Sequence, residues 1–151
     1  MILIVLGGFN TYFEPSADET MGAEANLEFI KLLKRWQASF TSMQKTTKPV
    51  ISAIHGKCIG GGVDLVTAAD IRLATKDAQF TIAETKLAIV ADLGTLQRLT
   101  RLVGRGHARE LAFTSHYINA ERAASIGLVN HVYEDKEKLL AAARKMAQDI
   151  A

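Results

Sequence analysis

The chain has 151 residues, of which 48% are apolar and 23% are charged, and its formal net charge is +2. This composition is typical of one globular domain, and so small a charge argues against nucleic acid or an anionic membrane surface as a partner. The single cysteine, Cys58, excludes a disulfide framework within the chain, and the apolar run Met1–Leu6 is too short to span a bilayer.

The first third of the chain predicts a strand, a long helix and a second strand. Met1–Leu6 is continuously apolar, which predicts a buried strand ended by Gly7 and Gly8. Pro49 ends the following helix, and residues 50–54 ("VISAI") predict the next buried strand. Between them, apolar residues recur at steps of three and four, which predicts a helix whose apolar side faces the core: Leu27, Phe29, Ile30, Leu33, Trp36, Phe40 and Met43.

The rest of the chain alternates helices with short apolar strands. A short helix follows the glycines at 60–62 and ends near Ala69, and strands are predicted at 71–75 and 80–83. Asp92, Asn119 and Asp135 are predicted helix starts, and Gly104 a helix end. The remaining predicted elements are helices over 92–103, 107–114, 120–126 and 136–151 and a strand over 128–132. This alternation predicts an α/β domain whose sheet is buried on both faces.

The glycine-rich turn from Gly56 to Gly62 leaves a strand and enters a helix. A Walker A loop is excluded, because Lys57 is followed by Cys58 rather than by serine or threonine. The glycine spacing and the next acidic residue also do not fit a dinucleotide-binding fingerprint. Two interpretations remain: a tight turn used only for packing, which the glycines alone favour, or an oxyanion site at the helix start.

Three carboxylates near this turn bear on that choice. Asp64 lies in the first turn of the predicted helix, Glu84 follows a strand, and Asp92 comes eight residues later. Each has a simpler explanation. Asp64 could interact with the helix dipole, Glu84 could be solvated beside Lys86, and Asp92 could cap its helix. Together with an anion site at the helix start, they predict proton transfer next to an enolate.

The histidines and the cysteine contribute less to a functional interpretation. His55 is interpreted as structural, Cys58 as a buried filler, and Lys57 as either solvated or in contact with a phosphate. No metal-ligand spacing occurs among the four histidines, so no metal is expected: His55, His107, His116 and His131.

A long stretch of the chain resembles a known family. Residues 48–89 ("KPVISAIHGKCIGGGVDLVTAADIRLATKDAQFTIAETKLAI") are similar to the enoyl-CoA hydratase/isomerase, or crotonase, superfamily, and the similarity continues through residues 127–151. The stretch "VADLGTLQRL" resembles the dienoyl-CoA isomerase branch. The resemblance implies a crotonase-like spiral of ββα units. Residues 1–151 would form one core domain, truncated at both ends, without the family's preceding strands and its C-terminal helical region.

The resemblance also implies a reaction and its residues. Members of that branch convert 3,5-dienoyl-CoA to 2,4-dienoyl-CoA in the β-oxidation of unsaturated fatty acids, and no cofactor is expected because CoA is part of the substrate. Asp64, Glu84 and Asp92 would be the catalytic acids, with Glu84 acting at C2, Asp92 at C6, and Asp64 tuning the pair. The amides of Gly61 and of Ala17, in "FEPSAD", would form the oxyanion hole.

Two alternatives stay open at the level of sequence. One is an enoyl-CoA hydratase or another enzyme of the same fold, and the other is a non-catalytic CoA-ester binder or scaffold. The resemblance implies an acyl-CoA substrate and a homotrimer or hexamer, with no nucleic acid and no membrane. The compartment would be mitochondrial or peroxisomal in a eukaryote and cytoplasmic in a bacterium.

Overall fold

The structure, a computed structural model, describes residues 2–10 and 22–151. Its strands are β1 (Ile2–Asn10), β2 (Val50–Ile59), β3 (Ile71–Thr75), β4 (Gln79–Thr81), β5 (Ile118–Asn119) and β6 (His131–Tyr133). Its helices are α1 (Ala23–Lys45), α2 (Gly61–Thr67), α3 (Thr95–Thr114), α4 (Ala120–Ser125) and α5 (Lys136–Ile150), and a 3-10 helix spans Glu84–Leu87. Within these described ranges, no helix combines the length and the apolar character needed to cross a membrane.

The strands form one six-stranded sheet with β2 at its centre. β1 pairs along the whole of β2, while β3 pairs with residues 51–54 of β2 and β4 with residues 57–59. Every pairing is parallel except that of β4 with β5. Because β3 and β4 pair with successive parts of β2, the sheet divides between residues 54 and 57 of β2, at the beginning of the glycine turn.

The core lies on both faces of this sheet, as the continuous apolar strands predict. On one face, a cluster that includes Ile54, Phe80 and Leu99 packs the sheet against α2, α3 and α4. On the other face, Ile51 and Leu139 belong to a second cluster beneath α5. The α/β prediction is therefore confirmed, and β2 is the strand that presents the glycine turn at its carboxyl end.

In the first third of the chain, the predicted end of the first strand is wrong, and the predicted burial of the helix is confirmed only in part. β1 does not stop at Gly7 and Gly8, because its pairing with β2 continues to Asn10 after a register shift between Gly7 and Phe9. Glycine tolerates such an irregularity, so it marks a bulge here rather than an end. The helix α1 forms as predicted, but only part of its apolar side is covered: Leu27 is 53% exposed and Ile30 is 45% exposed, whereas Leu33, Trp36, Phe40 and Met43 are half-buried.

The predicted helix starts are confirmed at two of three positions. The Asn119 side chain accepts a 2.9 Å hydrogen bond from the amide of Arg122, and the Asp135 side chain accepts one of 2.8 Å from the amide of Lys138. Asp92 is not a cap, since α3 begins three residues later, after Gly94. Gly104 does interrupt the helix, with φ +79° and ψ 163°, so the two helices predicted there join at a kink within α3.

Candidate active site

The glycine turn connects β2 to α2 and brings a carboxylate against its backbone. Gly60 has φ +52°, a conformation that favours glycine, and its amide donates a 3.0 Å hydrogen bond to the carbonyl of Thr81 in β4. A side chain at this position would place its Cβ 3.2 Å from Oε1 of Glu84. The positive φ therefore favours glycine in this turn, and a Cβ here would also make a tight contact with the Glu84 carboxylate.

The amide of Gly61 lies at the start of α2, where a helix leaves its first amides without a partner inside the helix. The carbonyl of Gly60 accepts hydrogen bonds from the amides of Val63 and Asp64, at 2.7 and 3.2 Å. Within the described ranges, no carbonyl accepts a bond from the Gly61 amide in the turns and caps. An amide in this position can meet a negatively charged oxygen, so the oxyanion role predicted for Gly61 stays a prediction that the geometry allows. The second predicted donor, Ala17, lies outside the described residues.

Asp64 is held by the start of α3 rather than by its own helix. Its side chain is buried, with the residue 1% exposed, and Oδ1 accepts bonds from the amide of Thr95 at 2.8 Å and from its hydroxyl at 2.6 Å. Burial raises the pKa of Asp64, the Thr95 bonds and the charge of Arg98 lower it, and the charge of Asp92 raises it. The helix dipole alone does not explain a carboxylate that is fixed by a neighbouring element.

Arg98 completes the attachment of Asp64 to α3. It is 8% exposed, and its Nη1 donates to the carbonyl of Leu93 at 3.0 Å and to that of Asp64 at 3.5 Å, while Nε donates to Gln44 at 3.0 Å. Gly94, at φ +107°, leaves room for this guanidinium, because a Cβ there would lie 2.5 Å from Nη1. The turn before α3 thus packs around the buried guanidinium of Arg98.

Glu84 is half-buried at the first position of the 3-10 helix. Its Oε2 is buried and has no hydrogen-bond partner among the residues that the structure describes. Burial raises its pKa, its own amide and that of Ala83 lower it, and the charges of Asp64 and Asp92 raise it. Because Oε2 is buried, the alternative in which Glu84 is simply solvated beside Lys86 is wrong, and Lys86 itself lies over the ring of Tyr117, 5.3 Å from its centroid.

Threonines on both sides of Glu84 attach it to the end of α3. The Thr81 hydroxyl donates to the carbonyl of Ser115 at 3.0 Å, and the Thr85 hydroxyl donates to the carbonyl of Ala112 at 3.2 Å. Thr85 also shares a side-chain hydrogen bond with the hydroxyl of Ser115. These contacts fix the backbone from which Glu84 extends.

Asp92 differs from the other two acids because it is exposed. Its carbonyl accepts a 2.7 Å bond from Gln37 in α1, and its charge acts on both Asp64 and Glu84. The apolar stretch before Asp92 is largely exposed. Val90 is 68% exposed, because the segment between the 3-10 helix and α3 runs along the surface.

The structure therefore groups the three predicted acids electrostatically while giving each a different environment. Asp64 is buried and anchored, Glu84 is half-buried with an unpaired oxygen, and Asp92 is open to solvent. Cys58 is buried, which raises the pKa of its thiol to about 12 and leaves it a poor nucleophile at neutral pH. Within the described ranges, no group of three or more His, Cys, Asp and Glu side chains is arranged to hold a metal ion.

Sequence reasoning missed Thr95 and Arg98, which hold Asp64. The available sign was the pair Gly94–Thr95 directly before a helical apolar pattern, with an arginine one turn later. That pattern is equally typical of an ordinary helix start, so only the position of Asp64 in three dimensions shows the function of these residues.

Comparison with known proteins matches residues 2–151 to the family model described as enoyl-CoA hydratase/isomerase. The mitochondrial delta(3,5)-delta(2,4)-dienoyl-CoA isomerase of Dictyostelium discoideum is 54% identical over 88% of this chain and 45% of its own length. The peroxisomal enzyme of the same name from Arabidopsis thaliana is 53% identical over 71% of this chain and 38% of its own length. The chain thus spans less than half the length of these relatives.

Among solved structures, a Thermobifida fusca protein determined in complex with CoA superposes with a TM-score of 0.82 at 26% identity. The match covers 98% of this chain and 61% of that protein.

Proposed function

The chain belongs to the enoyl-CoA hydratase/isomerase family and has the crotonase fold, and on that basis we propose that it isomerises 3,5-dienoyl-CoA to 2,4-dienoyl-CoA. The observation that carries the proposal is that three acids influence one another: Glu84 lies against Gly60, and the charge of Asp92 acts on both Glu84 and Asp64. Two are withdrawn from solvent to different degrees, and the charge of the third acts on both. The 54% identity with a relative named for this reaction supports the same choice.

In the proposed reaction, the substrate thioester oxygen accepts a hydrogen bond from the amide of Gly61. This bond strengthens as the C2 proton leaves and negative charge spreads over the dienolate. One such donor is worth about 3–4 kcal/mol of transition-state stabilisation. The amide of Ala17 is proposed as the second donor.

The carboxylates then exchange two protons with the carbon chain. Glu84 takes a proton from C2, and Asp92 gives one to C6, so one C–H bond breaks, another forms, and both double bonds move toward the thioester. The raised pKa of Glu84 makes it a stronger base than an ordinary carboxylate. Asp92 is exposed, so its carboxyl is in contact with water. The reaction needs no cofactor, since CoA is part of the substrate.

The test compares acid-to-amide variants on two substrates. The wild-type chain is expected to convert a 3,5-dienoyl-CoA, followed by the ultraviolet absorbance of the 2,4-dienoyl thioester, and to leave a 2-enoyl-CoA unhydrated. Glu84→Gln and Asp92→Asn should each lower kcat by roughly 10²- to 10⁴-fold while acyl-CoA binding persists. Asp77→Asn, which removes an exposed acid elsewhere in the chain, should leave kcat unchanged.

Two other outcomes would replace the proposal. Hydration of the 2-enoyl-CoA without dienoyl isomerisation would indicate a hydratase. Acyl-CoA binding without conversion of either substrate would indicate a non-catalytic binder or scaffold.

We also propose the assembly and compartment that the family suggests. A homotrimer or hexamer is expected, with neither nucleic acid nor membrane as a partner. The two relatives described above are named as mitochondrial and peroxisomal, so either organelle is expected if the source is a eukaryote, and the cytoplasm if it is a bacterium. Light scattering of the purified chain tests the oligomeric state, and localisation of the tagged chain in cells tests the compartment.

A further inference from the structure

The carboxylate of Asp64 receives two hydrogen bonds on a single oxygen. Both come from Thr95, one from its amide and one from its hydroxyl, and the longer of the two is only 2.8 Å. Donors directed at a carboxylate favour its charged form over its protonated form. The guanidinium of Arg98, which donates to the Asp64 carbonyl, adds a positive charge from the same helix.

Glu84 has a different environment, in which burial raises its pKa while its own amide and that of Ala83 lower it. No described residue donates to its buried Oε2, and the two charges that act on it, from Asp64 and Asp92, are both negative. The pKa of each acid is raised, with burial as the largest cause, and the two acids differ in their donors: Thr95 gives two to Oδ1 of Asp64, and no described residue gives one to Oε2 of Glu84. Burial opposes ionisation at Asp64 as well, and the Thr95 donors work against that effect.

We propose that Thr95 is a positioning residue that keeps Asp64 ionised, so that Asp64 is a fixed negative charge and the mobile protons are carried by Glu84 and Asp92. This inference rests on the proposed function for its catalytic meaning, but the charge states themselves do not depend on the reaction. The three acids then have different roles, because Asp64 strengthens Glu84 as a base while only Glu84 and Asp92 exchange protons with substrate.

The hydroxyl of Thr95 is the part that a substitution can remove while leaving its amide in place. Thr95→Val removes the 2.6 Å bond and keeps a similar volume, whereas Thr95→Ser keeps the hydroxyl. Without that bond Asp64 binds a proton more readily, and its charge then acts less strongly on Glu84. Arg98 and Asp92, the other charged groups that act on Asp64, stay the same in both variants.

The direct test is a carbon-13 NMR titration of the side-chain carboxyls in the whole chain, with Asp64→Asn and Glu84→Gln spectra as assignments. Thr95→Val should move the midpoint of Asp64 to higher pH and that of Glu84 to lower pH, and Thr95→Ser should leave both near the wild-type values. The inference is overturned if Thr95→Val leaves both midpoints unchanged, or if the serine variant shifts them as much as the valine variant. If the valine variant does not fold, the titration of Glu84 is measured in the Asp64→Asn variant instead. A Glu84 midpoint equal to that of the wild type would show that the charge of Asp64 does not act on Glu84, and the inference would be overturned.

Kinetics then separates this inference from the proposed function. With 3,5-dienoyl-CoA, Thr95→Val should lower kcat about tenfold, because a weaker base transfers the proton more slowly, with little change in KM, and Thr95→Ser should restore it. Absence of any conversion by the wild-type chain would contradict the proposed function, whereas the titration would still decide the role of Thr95.

Discussion

Replacing Gly94 by alanine should lower the free energy of unfolding by more than the strained backbone conformation alone would cost. Gly94 has φ +107°, and a Cβ at this position would lie 2.5 Å from Nη1 of Arg98 and 2.7 Å from its Cζ. Arg98 is buried and held by the carbonyls of Leu93 and Asp64. The guanidinium therefore has to move, and its hydrogen bonds are lost or lengthened.

The expected cost has two parts. A non-glycine residue held in this conformation costs about 1–3 kcal/mol. Loss of the stronger Arg98 bond, the 3.0 Å contact with the Leu93 carbonyl, adds about 1.5–3 kcal/mol because the donor is charged. Gly94→Ala should thus lower the free energy of unfolding by about 2.5–6 kcal/mol, a large fraction of the stability of a typical domain.

Two glycines within α3 give matched controls for Gly94. Gly104 also has positive φ, +79°, but nothing lies within 4 Å of its Cβ position, so Gly104→Ala should cost only the backbone part, about 1–3 kcal/mol. Gly106 has neither constraint, and Gly106→Ala should stabilise the helix by about 1 kcal/mol.

Urea unfolding followed by far-ultraviolet circular dichroism measures all three variants, with similar m-values as the check on two-state behaviour. If Gly94→Ala lowers the free energy of unfolding no more than Gly104→Ala does, the position of Arg98 does not depend on the absence of a side chain at Gly94, and the reasoning is refuted.

Two further predictions follow from burial. The pKa of Glu84 is raised in the folded chain, so its contribution to stability is complete below its ordinary pKa of 4.5 and is lost as the pH rises through the folded value. Glu84→Gln should therefore be more stable than the wild type at pH 8 and show a flatter pH dependence in thermal unfolding. The exposed Glu137→Gln control should keep the wild-type profile; equal profiles for both variants would contradict burial of Glu84. Cys58, the only cysteine, should react with a thiol reagent at pH 8 only at the rate of unfolding, and rapid labelling of the native chain would show that its thiol is accessible.

The sequence was sufficient for the parts of the fold that depend on local pattern. The apolar strands around residues 50–54 and 71–75 and the caps at Asn119 and Asp135 are confirmed. Their determinants, apolar continuity and a capping side chain, lie within a few residues of one another. The fold class followed from the alternation of these elements and from the resemblance.

The errors arise where a pattern has two physical causes. The stripe on α1 shows helical periodicity, but periodicity does not say what covers the apolar face. Gly7 and Gly8 can end a strand or lie in an irregular one, and pairing with β2 decides the matter. An aspartate before a helix can be a cap, yet Asp92 lies outside α3 because Gly94 and Thr95 are fixed by Arg98 and Asp64.

The sequence predicted which acids belong to the candidate site, but it did not predict that each acid has a different environment. Glu84 and Asp64 are the same chemical group, and the difference between them is that only Asp64 meets two donors from a helix that begins 31 residues later. A contact of that kind is set by tertiary packing, which no local window of sequence contains. The role of Ala17 stays a prediction.

The most direct test of proton transfer by these acids is the reaction of 3,5-dienoyl-CoA in deuterium oxide, with the product analysed by NMR. Transfer by Glu84 and Asp92 predicts a 2,4-dienoyl-CoA that carries one deuterium at C6 and has lost one hydrogen from C2. It also predicts that Asp92→Asn loses this incorporation at C6. Oxygen added at C3, or exchange at C2 with no deuterium at C6, would contradict it.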